Sequence, residues 1–234
     1  MGTHREDGHL AHQVAVQRAY SSVSGLYIDL FGSTAKVHSD DLDLVGRHLR
    51  RPGTVLDLGC GPGHYTGYLR SLGVEAVGID MVPEFVEHAR RADPDGDYRI
   101  GEMRELAFDD RTVAGILVWY SLIHLPPPEL DGVLRELRRV LAPGGVLVAG
   151  FFRGEDSGDG RDGGNGKDGR EGKGGRDVDG VEAFEHKVIT AYRWPMDVFA
   201  ERLSRAGFTE VERQSRPAQD GRRTHAALVA QAGA

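Results

Sequence analysis

Cysteine is almost absent from this 234-residue chain: Cys60 stands alone. One cysteine closes no intrachain disulfide and cannot build a Cys-based zinc site, so a reducing compartment, the cytoplasm, is expected. Long apolar runs are missing as well. Ile116 to Tyr120 and Val146 to Phe152 fall far short of the roughly 20 residues that a membrane-spanning helix needs, so no membrane partner is expected. The start of the chain, MGTHREDGHLAHQ, has no apolar segment of the signal-peptide kind. No long basic run occurs and the formal net charge is -7, which argues against a nucleic-acid partner. A small-molecule acceptor suits this balance better, and oligomeric state is not encoded.

What is present organises as one domain with appendages. Residues 1–13, with His4, His9 and His12, read as a flexible, solvated leader, since no carboxylate scaffold gathers these histidines into a metal site. Cap helices are expected over about 14–50. Val14 to Phe31 reads as one or two short helices with Tyr20 and Tyr27 on one face, and Ser39 can cap the next, striped by Leu42, Val45 and Leu49. Strands are then expected at Thr54 to Leu58, Val74 to Ile79, Tyr98 to Ile100, Val113 to Trp119 and Gly145 to Phe152. Helices are expected at His64 to Ser71, Pro83 to Ala92 and Pro128 to Leu141.

This alternation predicts an α/β fold with a doubly wound, mostly parallel sheet covered by helices on both faces. Between Gly154 and Gly180 the sequence is almost wholly glycine and charge and reads as a disordered insertion. Within it GGNGKD, Gly163 to Asp168, imitates one calcium-binding repeat but has no second copy. Phe184 to Trp194 then reads as strand, Pro195 to Ala206 as helix, and Thr209 to Gln214 and His225 to Gln231 as a closing pair of strands.

The most informative stretch is VLDLGCGPGHYTGYL, Val55 to Leu69, a strand running through a glycine-dense bend into a helix. Such turns bring bare backbone to a ligand beside a helix N-terminus. The dinucleotide fingerprint fails, because its last glycine would fall on His64 or Thr66, and a P-loop fails for want of lysine. What remains is Gly59, Gly61 and Gly63, preceded by Asp57 and followed by Asp80 at the end of the second strand. An acidic side chain there can accept from both hydroxyls of a ribose, which points to a nucleoside. The alternative for Gly61 or Gly63 is close helix packing, which the acidic residue in register argues against.

DLGCGPG at Asp57 to Gly63, with VGID at Val77 to Asp80, resembles the class I methyltransferases that use S-adenosyl-L-methionine. GEMREL at Gly101 to Leu106 is similar to their adenine-contacting loop, WYSLIHLPPPEL at Trp119 to Leu130 to their fourth-strand motif, and LRRVLAPGGVLVAGFF at Leu137 to Phe152 to their following helix, turn and fifth strand. The resemblance implies a Rossmann-like methyltransferase fold with a seven-stranded sheet. It implies S-adenosyl-L-methionine as cofactor and S-adenosyl-L-homocysteine as product; with one cysteine and no gathered histidines, no metal is expected. By the same likeness Asp57, Gly59 and Gly61 belong to the cofactor site, the two glycines beside the methionyl part. Asp80 would hold the ribose, Met81 would pack on adenine, and Glu102 and Met103 would flank it, Glu102 standing where the family more often has aspartate. Tyr20 and Tyr27 would close over the cofactor.

Methyl transfer from a sulfonium is an in-line displacement on an activated donor, so much of the catalysis can be positioning and exclusion of water. A base is needed only where the acceptor must lose a proton. His124, after the fourth strand, is the candidate base or acceptor ligand, with a structural role in orienting the following helix as the alternative. His186 and Tyr192 read as structural before acceptor-lining, and His64 as a residue that caps or packs. Trp119 and Tyr120 are both candidates to face the cofactor, but an extended backbone would send one away. The expected acceptor is an oxygen, nitrogen or carbon of a small metabolite. The alternatives are a protein or RNA acceptor, and a protein of this fold that binds the cofactor without methylating.

Overall fold

Every residue of Val55–Leu58 (β1) and Ala76–Asp80 (β2) is buried, as continuous apolar strands covered on both faces require. The structure is a computed structural model that describes residues 3–154, 179–218 and 223–233, with side chains from residue 10 onward. Helices Thr3–Ser22 (α1), Ser24–Phe31 (α2) and Ser39–Leu49 (α3) precede β1. His64–Ser71 (α4), Pro83–Ala92 (α5), Asp97–Ile100 (β3), Val113–Trp119 (β4), Pro127–Val140 (α6) and Leu141–Phe152 (β5) complete the alternating part. Glu182–Phe184 (β6), Ala191–Arg193 (β7), Met196–Arg205 (α7), Phe208–Arg216 (β8) and His225–Ala232 (β9) follow.

The sheet has seven strands in the order β3-β2-β1-β4-β5-β9-β8. β1 to β5 run parallel, while β9 is antiparallel to β5 and β8 to β9, a hairpin that closes one edge. The order reverses between β1 and β4, so the crevice outside their carboxyl ends is the natural ligand position of such a sheet.

Alternate residues divide between two cores. Leu56, Leu58, Ile116 and Val118 pack with Leu130, Leu134 and Leu137 of α6 and Phe199 of α7. Val55 and Leu117 pack with Leu44, Val45 and Leu49 of α3 and with Tyr65 and Leu69 of α4. The period of two therefore decides which way each polar residue of the strand ends must point.

Several boundaries differ from expectation. Residues 3–13 were expected as a flexible leader, yet Thr3–Ser22 is one helix, which docks over the sheet edge through His12, Val16, Gln17 and Tyr20. The cap of α3 is His38, whose Nδ1 accepts from Asp40 N at 3.2 Å, in place of Ser39. The segment Phe184 to Trp194 is two short strands pairing Glu182 with Arg193 and Phe184 with Ala191, interrupted by polar residues around His186. The Gly144-Gly145 turn lies inside β5, where the register with β4 shifts between Val113 and Gly115. The Gly-rich insertion falls, over residues 155–178, outside the described residues, as does GGNGKD within it.

Candidate functional site

The turn between β1 and α4 is held by backbone bonds to β2 and within itself: Gly59 N donates to Ile79 O at 2.7 Å and Gly63 N to Cys60 O at 3.0 Å. Gly59 has φ +73°, and a Cβ there would stand 2.3 Å from Ser121 Cβ. Gly63 has φ +87°, and a Cβ on it would meet Ala89 and Tyr98 at 2.8 Å, so this third glycine serves helix packing. Gly61 N donates to Asp80 Oδ2 at 2.8 Å, and Val82 N donates to Asp80 Oδ1, also at 2.8 Å. Each carboxylate oxygen has capacity for a further donor. Burial pushes the Asp80 carboxyl up to about 6, against the pull of the backbone N–H groups that favour its charged form.

One cavity opens at this edge and gathers Tyr20, Tyr27, Gly59, Gly61, Asp80 and Met81. Glu102, Met103, Trp119 and His124 also line it. Of the ten cofactor residues expected, only Asp57 is missing. It alternates with Leu56 and Leu58, so its carboxyl faces α4, where Thr66 Oγ1 donates to Oδ2 at 2.6 Å. Desolvation pushes Asp57 up to about 7, which Thr66 moderates. Its place is beneath the turn.

Trp119 and Tyr120 both reach the cavity, although strand alternation predicted that only one would. Tyr120 has φ +56°, so the extended conformation ends at Trp119 and the next side chain is re-aimed. Its hydroxyl lies 2.5 Å from His225 Nδ1, and His225 Nε2 is 3.5 Å from Asp41, which Arg216 holds by two guanidinium bonds.

Tyr20 and Tyr27 meet edge to face at 5.5 Å and pack on Phe85, forming an aromatic roof. Burial raises both phenols, Tyr27 to about 12, so they stay protonated. Tyr20 hydroxyl lies 2.7 Å from His124 Nε2, and His124 Nδ1 lies 2.8 Å from Thr190 O. A carbonyl only accepts, so Nδ1 carries the hydrogen and Nε2 accepts from Tyr20. Burial lowers His124 to about 4, which keeps it neutral in the ordinary working range.

The sequence reading missed several contributors. His12, taken for solvated tail, donates from Nε2 to His124 O at 2.8 Å, and Gln17 donates to Met81 O at 2.8 Å. Gln13, Ser121 and Arg104 line the cavity, and Ser121 Oγ is buried with no partner among the described residues. Only Arg104 carried a signal, a cation within the GEMREL loop. His186 and Tyr192 are absent from the wall, although the His186 ring lies 5.4 Å from that of His124 and Tyr192 N donates to Ile123 O. His64 is half-buried at the start of α4, its ring against that of Tyr65.

A nucleoside with an amino-acid tail fits these residues. Asp80 can accept ribose hydroxyls, the Gly59 backbone admits a close approach that Ser121 would deny to a side chain, and the orphaned Ser121 Oγ offers a polar contact beside it. Among the described residues no group of three or more His, Cys, Asp or Glu could hold a metal ion, and no helix is long and apolar enough to cross a membrane.

Comparison with known proteins agrees with this geometry. Residues 55–145 match a family model described as Methyltransferase domain. The malonyl-[acyl-carrier protein] O-methyltransferase of Pseudescherichia vulneris is 29% identical over 133 residues, 56% of this chain and 52% of that one. The chain thus spans about half the length of that curated relative. Among solved structures, the 1,6-didemethyltoxoflavin-N1-methyltransferase of Burkholderia thailandensis superposes with a TM-score of 0.70 at 20% identity, covering 96% of this chain and 90% of that one. The [4+2]-cyclase SpnF superposes with a TM-score of 0.69 at 18% identity, covering 93% and 95%. Over residues 55–145 the chain thus matches a methyltransferase domain, and the sheet that contains it has the Rossmann-like fold of the class I methyltransferases that use S-adenosyl-L-methionine.

Proposed function

We propose that the protein binds S-adenosyl-L-methionine in this cavity and transfers its methyl group to an oxygen, nitrogen or carbon of a small molecule, in the cytoplasm. The observation that carries the reading is Asp80, pinned by Gly61 N and Val82 N at the crossing of the glycine turn and β2, under the Tyr20–Tyr27 roof. The cofactor supplies an activated methyl group when bound. The chain supplies the rest. Asp80 accepts from the ribose, Gly59 and Gly61 border the methionyl end, and Met81, Glu102 and Met103 border the base. The aromatic roof excludes water, which strengthens the polar contacts beneath it.

Across from Asp80, the Tyr20–His124 pair is placed for proton removal. An acceptor becomes more acidic as it is methylated, so its proton can pass to the Tyr20 oxygen while the Tyr20 proton moves to His124 Nε2. Thr190 O, accepting from Nδ1, stabilises the imidazolium that results. The low basicity that burial imposes on His124 makes it a poor base toward an unactivated acceptor, so proton transfer follows methyl transfer or accompanies it.

Calorimetric titration of folded protein with S-adenosyl-L-methionine and S-adenosyl-L-homocysteine tests the binding step, and absence of binding by either refutes it. Incubation of cell extract with a tritiated methyl donor and the protein tests transfer. Label is expected in small molecules, and label confined to protein or RNA would overturn the acceptor class.

A further inference from the structure

Asp80 ends β2, Gly59 follows β1, and Glu102 follows β3, with Gly101 N donating to Asp80 O at 3.1 Å. A nucleoside with its ribose on Asp80 and its tail over the β1 turn therefore has its base over the end of β3. Met81, Val82 and Met103 give that end of the cavity apolar walls. Among the described residues that line it, Glu102 is the only carboxylate beside Asp80.

A glutamate at this place has one more rotatable bond than an aspartate, so its aim needs a holder. Arg104, also on the cavity wall, supplies one: Nη1 donates to Glu102 Oε2 at 3.0 Å and Nη2 to Glu129 Oε2 at 2.5 Å. Glu129 lies in the first turn of α6, where the helix N-terminus favours a carboxylate, and its side chain is only 9% exposed. The planar guanidinium fork fixes direction in a way that an ammonium would not. The line runs from α6 through Glu129 and Arg104 to Glu102. Among the described residues nothing donates to Glu102 Oε1, which stays available to a ligand N–H.

We propose that Arg104 is the positioning residue that turns Glu102 into a reader of the exocyclic amino group of the cofactor's purine. This rests on the cofactor assignment above. A held carboxylate accepts from a 6-amino group and opposes a 6-carbonyl, whose lone pairs face its own; sites built around such a bond discriminate strongly against ligands that cannot make it. With Arg104 removed, Glu102 is free to swing to water and the preference should fade.

The test compares binding of S-adenosyl-L-homocysteine with S-inosyl-L-homocysteine, in which a ring carbonyl replaces the amino group. Wild type should prefer the adenosyl compound by about tenfold or more. Arg104→Met should lose most of that preference, chiefly through weaker binding of the adenosyl ligand. Glu129→Ala, which leaves Arg104 in place but unanchored, should shrink the preference in the same direction and decides the matter if Arg104→Met does not fold. Preference unchanged in the folded variants, or equal loss for both ligands, overturns the proposal while leaving the cofactor assignment standing. Failure of wild type to bind either ligand overturns the cofactor assignment and this inference with it.

Discussion

Ligand binding at Asp80 should release a proton, and that release can be measured. Burial lifts this carboxyl from its ordinary 3.8 to about 6, a difference corresponding to about 3 kcal/mol held against the ionised form in the ligand-free protein. Because the folded value lies above the unfolded one, this group's contribution to stability is fully present below about pH 4 and is lost as pH rises through 6. Ribose hydroxyls donate to the ionised form, so they draw the carboxyl back down and bind better when it is charged. Affinity for S-adenosyl-L-homocysteine should therefore climb between about pH 4.5 and 7, by at most about tenfold per pH unit. Calorimetric titrations at both ends of that range, in buffers of different protonation enthalpy, should show buffer-dependent heats at the acid end. Asp80→Asn presents an NH₂ to one of the two backbone donors and has no charge to develop. It should abolish the slope and weaken binding by about 1.5 to 3 kcal/mol, the worth of a hydrogen bond to a charged group. Asp57 also titrates high, but it faces Thr66 away from the cavity, so Asp57→Asn should keep a slope. Affinity independent of pH, or a slope that survives Asp80→Asn, would refute the reasoning.

Gly59→Ala combines a left-handed backbone with a Cβ 2.3 Å from Ser121, and should cost at least about 1 to 3 kcal/mol in urea unfolding as well as cofactor affinity; a wild-type midpoint would contradict the geometry. Tyr20→Phe removes the hydroxyl that faces His124 Nε2, and should lower turnover on the acceptor by about a hundredfold while cofactor affinity moves little. His124→Gln should not add to that loss in the double variant, and fully additive losses would separate the two residues. Asp41→Asn breaks the buried pair with Arg216. The guanidinium is partly exposed and can rehydrate, so the cost should fall at the low end of the buried-pair range, about 3 kcal/mol by chemical denaturation, and a change below about 1 would refute that pairing.

The side of the cavity around the glycine turn was legible because a strand-to-helix turn obeys local rules on local sequence. Gly59 and Gly61 stand in a turn one strand long, and Asp80 stands at the end of the next, so spacing alone put them at one sheet edge. The same logic misplaced Asp57, because a motif position says nothing about which face a strand presents; only the partition of Leu56 and Leu58 into the α6 and α7 core fixed its direction. Trp119 and Tyr120 show the opposite failure. Alternation forbade both, and one left-handed residue allowed both. The leader was unreadable for another reason: Thr3 to Gln13, the first half of α1, has no apolar stripe to announce a helix, and His12 finds its partner, the carbonyl of His124, more than 100 residues away.

The acceptor side is built almost wholly from such distant contacts. His124 follows β4, its Nε2 faces a tyrosine of α1, and its Nδ1 donates to Thr190 just before β7. Tyr192 N, in β7, donates to Ile123 O and ties the β6–β7 hairpin to the residue before His124. The orientation of the candidate base is thus set by two segments outside the residues that match the methyltransferase domain, since residues 55–145 include neither α1 nor the hairpin. A domain match over the cofactor half is therefore compatible with very different acceptors, and the fold alone does not choose among them. Exchanging residues 182–193 should accordingly change the acceptor and the pH profile of turnover while leaving S-adenosyl-L-homocysteine affinity nearly unchanged; a parallel loss of cofactor affinity would show that the two halves are not separable.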